Sequence, residues 1–481
     1  MLLVLFLLSW ALSISANVPA CPHGGVQVFD PPQNTNLTIW YPQKFTSTPP
    51  LFPINYTCHY QINVPRGWFA EIQLTVVGSP LPTALVQVID QKNRVEDISN
   101  CFQEYFYFIA DGGAINLAAQ SLQPNFGFSV NWKPYPNQHL YQLSVSQSYP
   151  QPFLFEMHGN QPITITADTK VSATIFPPVS QYKLQYLRGV IYLDGSDLNS
   201  TKTLGTGLQL LNNYPQYVSS GNTMSVLILS NSGSYPTLLF QDYANMQGIK
   251  SFQGQNCKGF CEGFTLDASR GLAVYQIYNQ AVGYVLQNVT GFGKLDIYVG
   301  ALTPGKTNLI ASYDLSANNQ NSLPQLLLGG FTTFVMSSGN ATIPGSNPSG
   351  YPVNVGFGRK AIISSAQYGS PTPLQDVKEH VYAPSNGKFR YALSSASFES
   401  VTSLRVIGRD SDGNQVYSRK YNATNPPRMN NYIEIYGKEL YVEYDSVGNN
   451  KGFLMQYSVE KSATGIRFLM IFATIFTLYI V

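Results

Sequence analysis

Residues 56–74 alternate between apolar and polar side chains on both sides of a short break. Successive side chains of a β-strand point to opposite faces, so this period of two predicts two strands, each with one buried face. The break, Pro65-Arg66-Gly67, predicts a tight turn, because proline presets φ and glycine tolerates positive φ. We expect the two strands to form the opening hairpin of the first domain. The apolar positions that predict the core are Tyr60, Ile62, Val64, Trp68, Ala70, Ile72 and Leu74.

Short strands of this kind recur along the whole chain, separated by turn residues, which is typical of a β-sandwich. A strand led by Ser-Ser-Gly-Asn appears at residues 219–222 and again at 337–340. We therefore interpret the chain as tandem β-sandwich modules, although the strand-and-turn pattern of any β protein would equally explain the middle pair. The four predicted modules span residues 21–136, 140–250, 256–363 and 366–460.

Composition agrees with an all-β protein and narrows its function. A chain of 481 residues suits several domains of about 100–150 residues each. Charged residues make up 11% of the chain, well below the roughly 25% of an ordinary soluble domain. The formal charge of +2 provides no strong positive field, which argues against a nucleic-acid partner.

The beginning of the chain and its sequons predict an extracellular address. Residues 2–14 are apolar and small residues follow, so we interpret residues 1–16 as a signal peptide. Cleavage after Ala16 and cleavage after Ala20 both fit, and a short membrane anchor is the alternative. Asn-x-Ser/Thr sequons mark acceptors for N-glycans in secreted chains. The predicted acceptors are Asn36, Asn55, Asn199, Asn288, Asn340 and Asn422.

A second apolar run occupies residues 468–481. As a helix it would be ~21 Å long, short of the ~30 Å hydrocarbon core of a bilayer. Small residues precede it, so residues 463–481 resemble a signal for glycosylphosphatidylinositol (GPI) attachment, with Ser462 as the attachment site. A tilted single-pass anchor is the alternative. Attachment at Asn450 would lengthen the polar spacer but would remove a predicted core strand.

Five cysteines are few for a chain of this length. In an oxidising compartment we expect the disulfides Cys21–Cys58 and Cys257–Cys261, which leave Cys101 unpaired. The alternative is a Cys58–Cys101 bond. No cysteine or histidine has the spacing of a zinc site, and the sequence predicts no metal ligand and no cofactor.

The first module resembles the nematode CUB-like domain family. The resemblance rests on Cys21, the strand at residues 58–62, the turn at residues 64–67, and Gly127-Phe128 with Trp132. It implies a jelly-roll sandwich, secretion or GPI anchoring, and an association with defence against microbes. The Gly-Phe signature returns near the C-terminus at residues 452–457, so we interpret the last module as CUB-like and expect both to end in a similar hairpin. Calcium-binding CUB domains use acidic clusters, and here only Asp410 and Asp412 lie close together, as expected of an acidic turn.

Candidate catalytic motifs are weak. Residues 300–307 fit the phosphate-binding pattern GxxxxGKT, but no helix pattern follows, so a turn between strands is the preferred interpretation. The sequence predicts no catalytic residues and no enzyme. Aromatic residues could instead stack on sugar rings, although strand aromatics are more often buried. The aromatic candidates are Trp40, Tyr41, Trp68, Phe69, Tyr105, Phe106, Tyr107, Phe108 and Tyr141.

Together these features predict a non-enzymatic recognition or adhesion protein on the outer face of the plasma membrane, or secreted. Its expected partner is an extracellular protein or a glycan, such as one on a microbial surface. The family resemblance implies a role in innate immune defence. The membrane would be a partner only through a GPI or C-terminal anchor. The alternatives are an extracellular enzyme with its site after residue 140 and a structural surface-coat glycoprotein.

Overall fold

The computed structural model describes residues 18–46, 48–78, 85–119, 123–135, 141–148, 153–156, 162–178, 181–198, 202–229, 237–279, 283–346, 354–366, 368–369, 376–399, 401–447 and 450–462. Strands account for 57% of the chain and helices for 4%, which confirms the prediction of an all-β protein. The strands form four successive modules, each with its own hydrophobic core.

The first module is a sandwich of two sheets. Its strands are β1 (Val26–Phe29), β2 (Ile39–Tyr41), β3 (Thr57–Ile62), β4 (Trp68–Val77), β5 (Val86–Asp90), β6 (Val95–Ile98), β7 (Cys101–Phe108), β8 (Gly113–Ala118) and β9 (Asn125–Pro134). One sheet has the order β1-β3-β8-β5-β6 and the other β2-β9-β4-β7. β1 and β3 are parallel, and the other neighbours are antiparallel.

The turn after Val64 forms as predicted, but the strands beside it do not pair with each other. The Trp68 N–H donates to the Pro65 carbonyl at 3.2 Å, and Gly67 has a φ of 77°. β3 pairs with β8 in one sheet, whereas β4 pairs with β9 in the other. The predicted opening hairpin is therefore wrong, because this turn carries the chain across the sandwich.

The second module repeats the strand order of the first. Its strands are β10 (Tyr141–Val145), β11 (Phe153–Glu156), β12 (Ile163–Ala167), β13 (Val171–Phe176), β14 (Val190–Asp194), β15 (Thr203–Thr206), β16 (Tyr217–Val218), β17 (Thr223–Ile228) and β18 (Thr237–Asp242). The sheets run β10-β12-β17-β14-β15 and β11-β18-β13-β16, and β10 and β12 are again parallel. A 3-10 helix (Gln181–Gly189) and the helix α1 (Gly207–Asn213) lie between its strands, and a short 3-10 helix (Tyr243–Asn245) follows β18.

The main sheet of the third module has the same order again. Its strands are β19 (Ile249–Cys257), β20 (Phe264–Asp267), β21 (Leu272–Asn279), β22 (Gly283–Leu286), β23 (Thr290–Val299), β24 (Leu309–Asp314), β25 (Gln325–Leu328) and β26 (Phe331–Ile343). The main sheet runs β19-β21-β26-β23-β24, with β20 also paired to β26, and β22 and β25 form a second sheet. Its first strand begins at Ile249, ahead of the boundary expected at residue 256.

The fourth module differs from the others. Its strands are β27 (Lys360–Ser364), β28 (Val377–Ala396), β29 (Ser403–Arg409), β30 (Gln415–Tyr421), β31 (Ile433–Asp445) and β32 (Phe453–Lys461). Over the residues described, they form one sheet with the order β27-β32-β28-β31-β29-β30. β31 and β32 lie on opposite sides of β28 and do not pair, so the closing hairpin expected from the Gly-Phe signature is absent. A strand pairs along both of its edges, and β28 takes β31 on one edge and β32 on the other.

Hydrophobic clusters join neighbouring modules. Phe69 lies at an outward position of β4, yet it is buried in a cluster with Ile191 and Leu193 of the second module. Phe176 of the second module stacks on Phe331 of the third, with ring centroids 6.4 Å apart. Leu454 of the fourth module belongs to the core of the third. These clusters bury side chains that would be exposed in separate modules.

Candidate functional site

The structure contains two disulfides. Cys21–Cys58 ties the start of the described chain to β3, and Cys257–Cys261 closes a short loop after β19. The alternative Cys58–Cys101 bond does not form, because Cys101 is a buried free thiol whose Sγ donates to the Leu74 carbonyl at 3.5 Å. Burial raises the pKa of the Cys101 thiol to about 12.

The predicted modification sites lie mostly at the surface. Asn36, Asn55, Asn288 and Asn340 are exposed, and Asn422 is partly exposed. Asn199, residues 1–17 and residues 463–481 fall outside the described residues. Ser462 lies directly after β32, whereas Asn450 is buried and bonded to the Tyr444 hydroxyl. In the described part of the chain, no helix has both the length and the apolar character needed to span a bilayer.

Most of the aromatic candidates lie in the core. The buried members are Tyr41, Phe69, Phe106, Tyr107 and Phe108. Trp40 is partly buried and packs edge-on against Phe45, with centroids 5.3 Å apart. Trp68 and Tyr105 are partly exposed, and only Tyr141 of the set is well exposed. Five of these rings are therefore buried, as strand aromatics more often are, and offer no face to a sugar.

The phosphate-binding pattern is a β-hairpin loop. β23 and β24 are antiparallel on either side of it, with Tyr298 opposite Leu309. The Lys306 ammonium lies 3.1 Å from Asp296 Oδ2. A phosphate cradle needs a helix N-terminus beyond the loop, and here a strand follows. Lys306 and Asp296 thus form an ion pair within the hairpin, which agrees with the interpretation of this segment as a turn between strands.

A cleft of about 540 Å³ lies between the third and fourth modules. β24 supplies one wall, and β27, β28 and β32 supply the other. Its lining combines polar and apolar side chains. Its polar and charged lining includes Lys360, Arg390, Tyr432, Gln456, Ser458 and Glu460.

Tyr432 presents an aromatic face to this cleft. It lies just before β31 and is 53% exposed. The Arg390 guanidinium carbon is 5.0 Å from the centroid of its ring, within the range of a cation–π contact. Such a contact orients the ring while its open surface remains accessible.

Opposite charges alternate beside Tyr432. Lys388 Nζ is 2.8 Å from Glu460, and Arg390 Nε is 3.3 Å from Glu434. The hydrogen bond from Lys388, with smaller effects of Arg390 and Lys360, lowers the pKa of the Glu460 carboxyl. Exposed ion pairs stabilise a fold little, so these groups can exchange partners with a ligand.

Gln325 holds the two walls of the cleft together. Its side-chain amide donates to the Ile362 carbonyl at 2.9 Å and accepts from the Ile362 N–H at 3.0 Å. Gln325 is 1% exposed. Its side-chain amide bonds to the Ile362 backbone with the same pair of hydrogen bonds that a neighbouring strand would make, and so links β25 to β27. This contact fixes the spacing of the third and fourth modules at the cleft.

A second polar cluster lies elsewhere on the last sheet. His380 Nδ1 is 2.8 Å from Glu439, and an Arg409 nitrogen lies 3.4 Å from the same carboxylate. The Tyr382 hydroxyl is 3.3 Å from His380 Nδ1. Over the residues described, no group of three His, Cys, Asp or Glu side chains is placed to hold a metal. The cluster thus joins an imidazole, a phenol hydroxyl and a guanidinium around the single Glu439 carboxylate.

Sequence reasoning missed the cleft. Lys360, Arg390 and Tyr432 belong to separate segments. β27 and β28 both pair with β32, and β28 also pairs with β31, which Tyr432 directly precedes. The one local signal is the alternation at residues 432–436, where Tyr432, Glu434 and Tyr436 are exposed. That pattern marks an outward face of a strand and does not indicate what lies beside it.

Family models match three parts of the chain. Residues 16–136 match the CUB-like domain, whereas residues 144–229 and 244–347 match two domains of unknown function, DUF7592 and DUF7591. No curated protein matches the sequence.

Two solved structures illustrate the likeness of this chain to known folds. The CUB1-EGF-CUB2 domain of human MASP-1/3 is 11% identical with a TM-score of 0.17, covering 64% of this chain and 99% of that one. The Cry4Aa toxin of Bacillus thuringiensis is 9% identical with a TM-score of 0.18, covering 65% of this chain and 54% of its own. The chain thus spans about half the length of that toxin.

The fold and the disulfides define an all-β protein built from tandem modules. Its first module is a CUB-like domain. Such a domain, together with the disulfides, points to an extracellular protein and suggests a module for binding or recognition.

Proposed function

We propose that this chain is a non-enzymatic recognition protein of the outer cell surface that binds saccharides in the cleft between its third and fourth modules. The observation that carries the proposal is the half-exposed ring of Tyr432, backed by the Arg390 guanidinium at 5.0 Å. An aromatic ring offers a flat apolar face for a sugar ring, and the adjacent Gln456 and Glu460 offer polar partners for hydroxyl groups.

The junction between the modules favours binding. The cleft has walls from two modules, and Gln325 joins these walls through paired hydrogen bonds. A preformed site loses less conformational entropy when it binds than a site that must first be assembled. Several copies of the chain on one surface would add avidity to weak contacts with a repetitive glycan.

The proposal includes the address predicted from the sequence. A signal peptide at residues 1–16 and N-glycans on the exposed sequons suit an extracellular chain with disulfides. A GPI anchor on Ser462 would leave the whole of β32 in its sheet. Because the first module resembles nematode CUB-like proteins, the proposal also includes a role in innate immune defence, in which the saccharide belongs to a microbial surface. Phosphatidylinositol-specific phospholipase C should release the protein from cells, and retention would favour a C-terminal membrane anchor or another attachment.

Binding is tested on cells that express the full-length chain and are exposed to labelled bacteria and labelled glycans. We expect saturable binding, and at least a ~10-fold loss for Tyr432→Ala, as for an aromatic residue at the centre of a binding site. The matched control is Phe102→Ala, which removes a 60% exposed ring from the first module. Equal effects of the two variants would place the site elsewhere.

The same experiment separates the alternatives. No binding to any glycan or bacterium, at normal surface levels of protein, would contradict recognition of microbes and favour a passive coat or a host partner. Turnover of a bound glycan would favour an enzyme. Binding should survive EDTA, because the Asp410 carboxylate already accepts the N–H groups of Asp412 and Asn414 in its own turn.

A further inference from the structure

The cleft carries an arrangement that suits a particular class of saccharide. We propose that it selects acidic saccharides, whose carboxylate or sulfate group binds above Ser458 between Lys360 and Arg390 while a sugar ring stacks on Tyr432. This inference rests on the proposed function and deepens it, because it names the chemistry of the ligand.

Strand register places the two cations on either side of one hydroxyl. Lys360 of β27 lies opposite Ser458 of β32, and Ser458 lies opposite Arg390 of β28. Directly opposite residues of a sheet point to the same face, so the three side chains form one cross-strand row. Neighbouring strands are about 4.8 Å apart, which separates the Lys360 and Arg390 backbones by roughly 10 Å. Two long cationic side chains can converge across that distance on a single anion.

Lys360 supplies a positive charge without a close ion-pair partner among the described residues, although it contributes slightly to the lowered pKa of the Glu460 carboxyl. Within the described part of the chain it forms no ion pair, and it is exposed at the cleft. The neighbouring Lys388 is satisfied by Glu460 at 2.8 Å. Three cations therefore face two carboxylates here, since Glu434 is the second. The excess positive charge favours an anionic ligand over a neutral one.

Arg390 retains donors for the same anion. Its contacts with Glu434 and Glu460 are 3.3 and 3.9 Å long, and neither is a close bidentate pair. A guanidinium has five N–H donors and matches the planar oxygens of a carboxylate or the oxygens of a sulfate. The guanidinium carbon lies 5.0 Å from the centroid of the Tyr432 ring, so these donors are next to the ring on which a sugar would stack. Charge and ring recognition are thus adjacent.

Three hexasaccharide probes test the inference on cells that express the full-length chain. One is built from glucuronic acid and N-acetylglucosamine, one is a sulfated heparin fragment, and one is neutral chitin hexasaccharide. We expect at least one acidic probe to bind about 10-fold more tightly than the neutral one, which is the effect of one favourable charge contact of ~1.4 kcal/mol. The preferred acidic probe then identifies the anion as carboxylate or sulfate.

Variants tie the preference to the proposed residues. Lys360→Ala should weaken binding of the acidic probe about 5- to 10-fold, and Lys360→Glu should abolish its preference over the neutral probe. Ser458→Ala should also weaken acidic binding, whereas Glu460→Gln should strengthen it by removing a repelling charge. The matched control Lys420→Ala changes an exposed lysine on β30 and should have no effect. Raising the salt concentration should weaken acidic binding only, because solvent ions screen exposed charges.

Different results would overturn this inference and the proposed function. Tyr432-dependent binding of neutral and acidic probes with equal affinity would overturn the acidic preference and leave saccharide recognition intact. Acidic binding that is unchanged in Lys360→Glu would also overturn it. Binding of no probe and no other glycan would overturn both.

Discussion

Arg188 of the second module lies 2.6 Å from the Glu96 carboxylate of the first module, so one guanidinium bridges the two modules. Glu104 lies 2.7 Å from the same guanidinium, which also sits 4.1 Å from the centroid of the Phe106 ring. Burial disfavours the charged form, but the two carboxylates outweigh it and raise the pKa of Arg188. The first two modules are therefore joined by charge as well as by apolar packing.

Arg188→Met should loosen this junction. The change leaves two carboxylates close together without a counter-ion, and we expect a loss of roughly 1–3 kcal/mol in the free energy of unfolding. Urea denaturation measures this loss, and limited proteolysis should show faster cleavage between the modules. Lys133→Ala is the control, because it breaks an exposed ion pair with Glu71 that should contribute no more than about 1 kcal/mol. Equal losses would argue against the bridge.

Phe69→Ala should destabilise the chain more than its outward position in the strand pattern suggests. The ring is buried at the junction and stacks with Tyr135 at a centroid distance of 6.5 Å. Removing a buried phenylalanine usually costs about 3–5 kcal/mol in the free energy of unfolding. Phe102→Ala, at an exposed site, should change it by about 0.5 kcal/mol or less. A small effect at Phe69 would mean that the junction does not form in solution.

Gln325→Leu should separate the walls of the cleft. The variant leaves the N–H and carbonyl of Ile362 without the partners they now have, at a cost of about 1–3 kcal/mol. Hydrogen exchange at the Ile362 amide should accelerate, and saccharide binding should weaken. Gln415→Leu, on the exposed edge strand, should leave both unchanged. Unaltered exchange at Ile362 would contradict the proposed contact.

Glu379 should make stability depend on pH. It lies on the core-facing side of β28 between Val377 and Val381, and burial raises its pKa from 4.5 to about 7. A raised folded-state pKa gives a contribution that is fully present below pH 4.5 and is lost as pH rises through about 7. Glu379→Gln should therefore stabilise the protein by roughly 1–3 kcal/mol at pH 8 and have little effect at pH 4.

Urea denaturation at both pH values measures this difference. Glu399→Gln is the control, because it makes the same chemical change at an exposed glutamate. A benefit of Glu379→Gln that is the same at both pH values would contradict the assigned titration.

Cys101 should resist thiol reagents in the folded protein. Its thiol is buried and its pKa is raised to about 12, so very little thiolate exists at pH 8. Iodoacetamide should label no cysteine in the native chain, one after unfolding without reductant, and all five after unfolding with reductant. Mass spectrometry counts the labels. Rapid labelling of the native chain would contradict this placement of Cys101.

The local pattern of apolar and polar residues was sufficient to predict many of the strands and much of the burial of their side chains. Tyr60, Ile62 and Ile72 alternate with polar residues and all lie in the core of the first module. The turn at Pro65 was also predictable. The ring of proline fixes its φ, and glycine, which has no side chain, tolerates positive φ. These properties depend on neighbouring residues in the chain and are therefore readable from the sequence.

Strand partners, module junctions and the cleft depended on the tertiary structure. β3 and β4 enter opposite sheets, and Phe69 is buried only because a second module covers it. The row of Lys360, Ser458 and Arg390 exists because three distant strands pair in one register. Alternation along a strand states which side chains share a face, but it carries no information about which strand or module lies against that face.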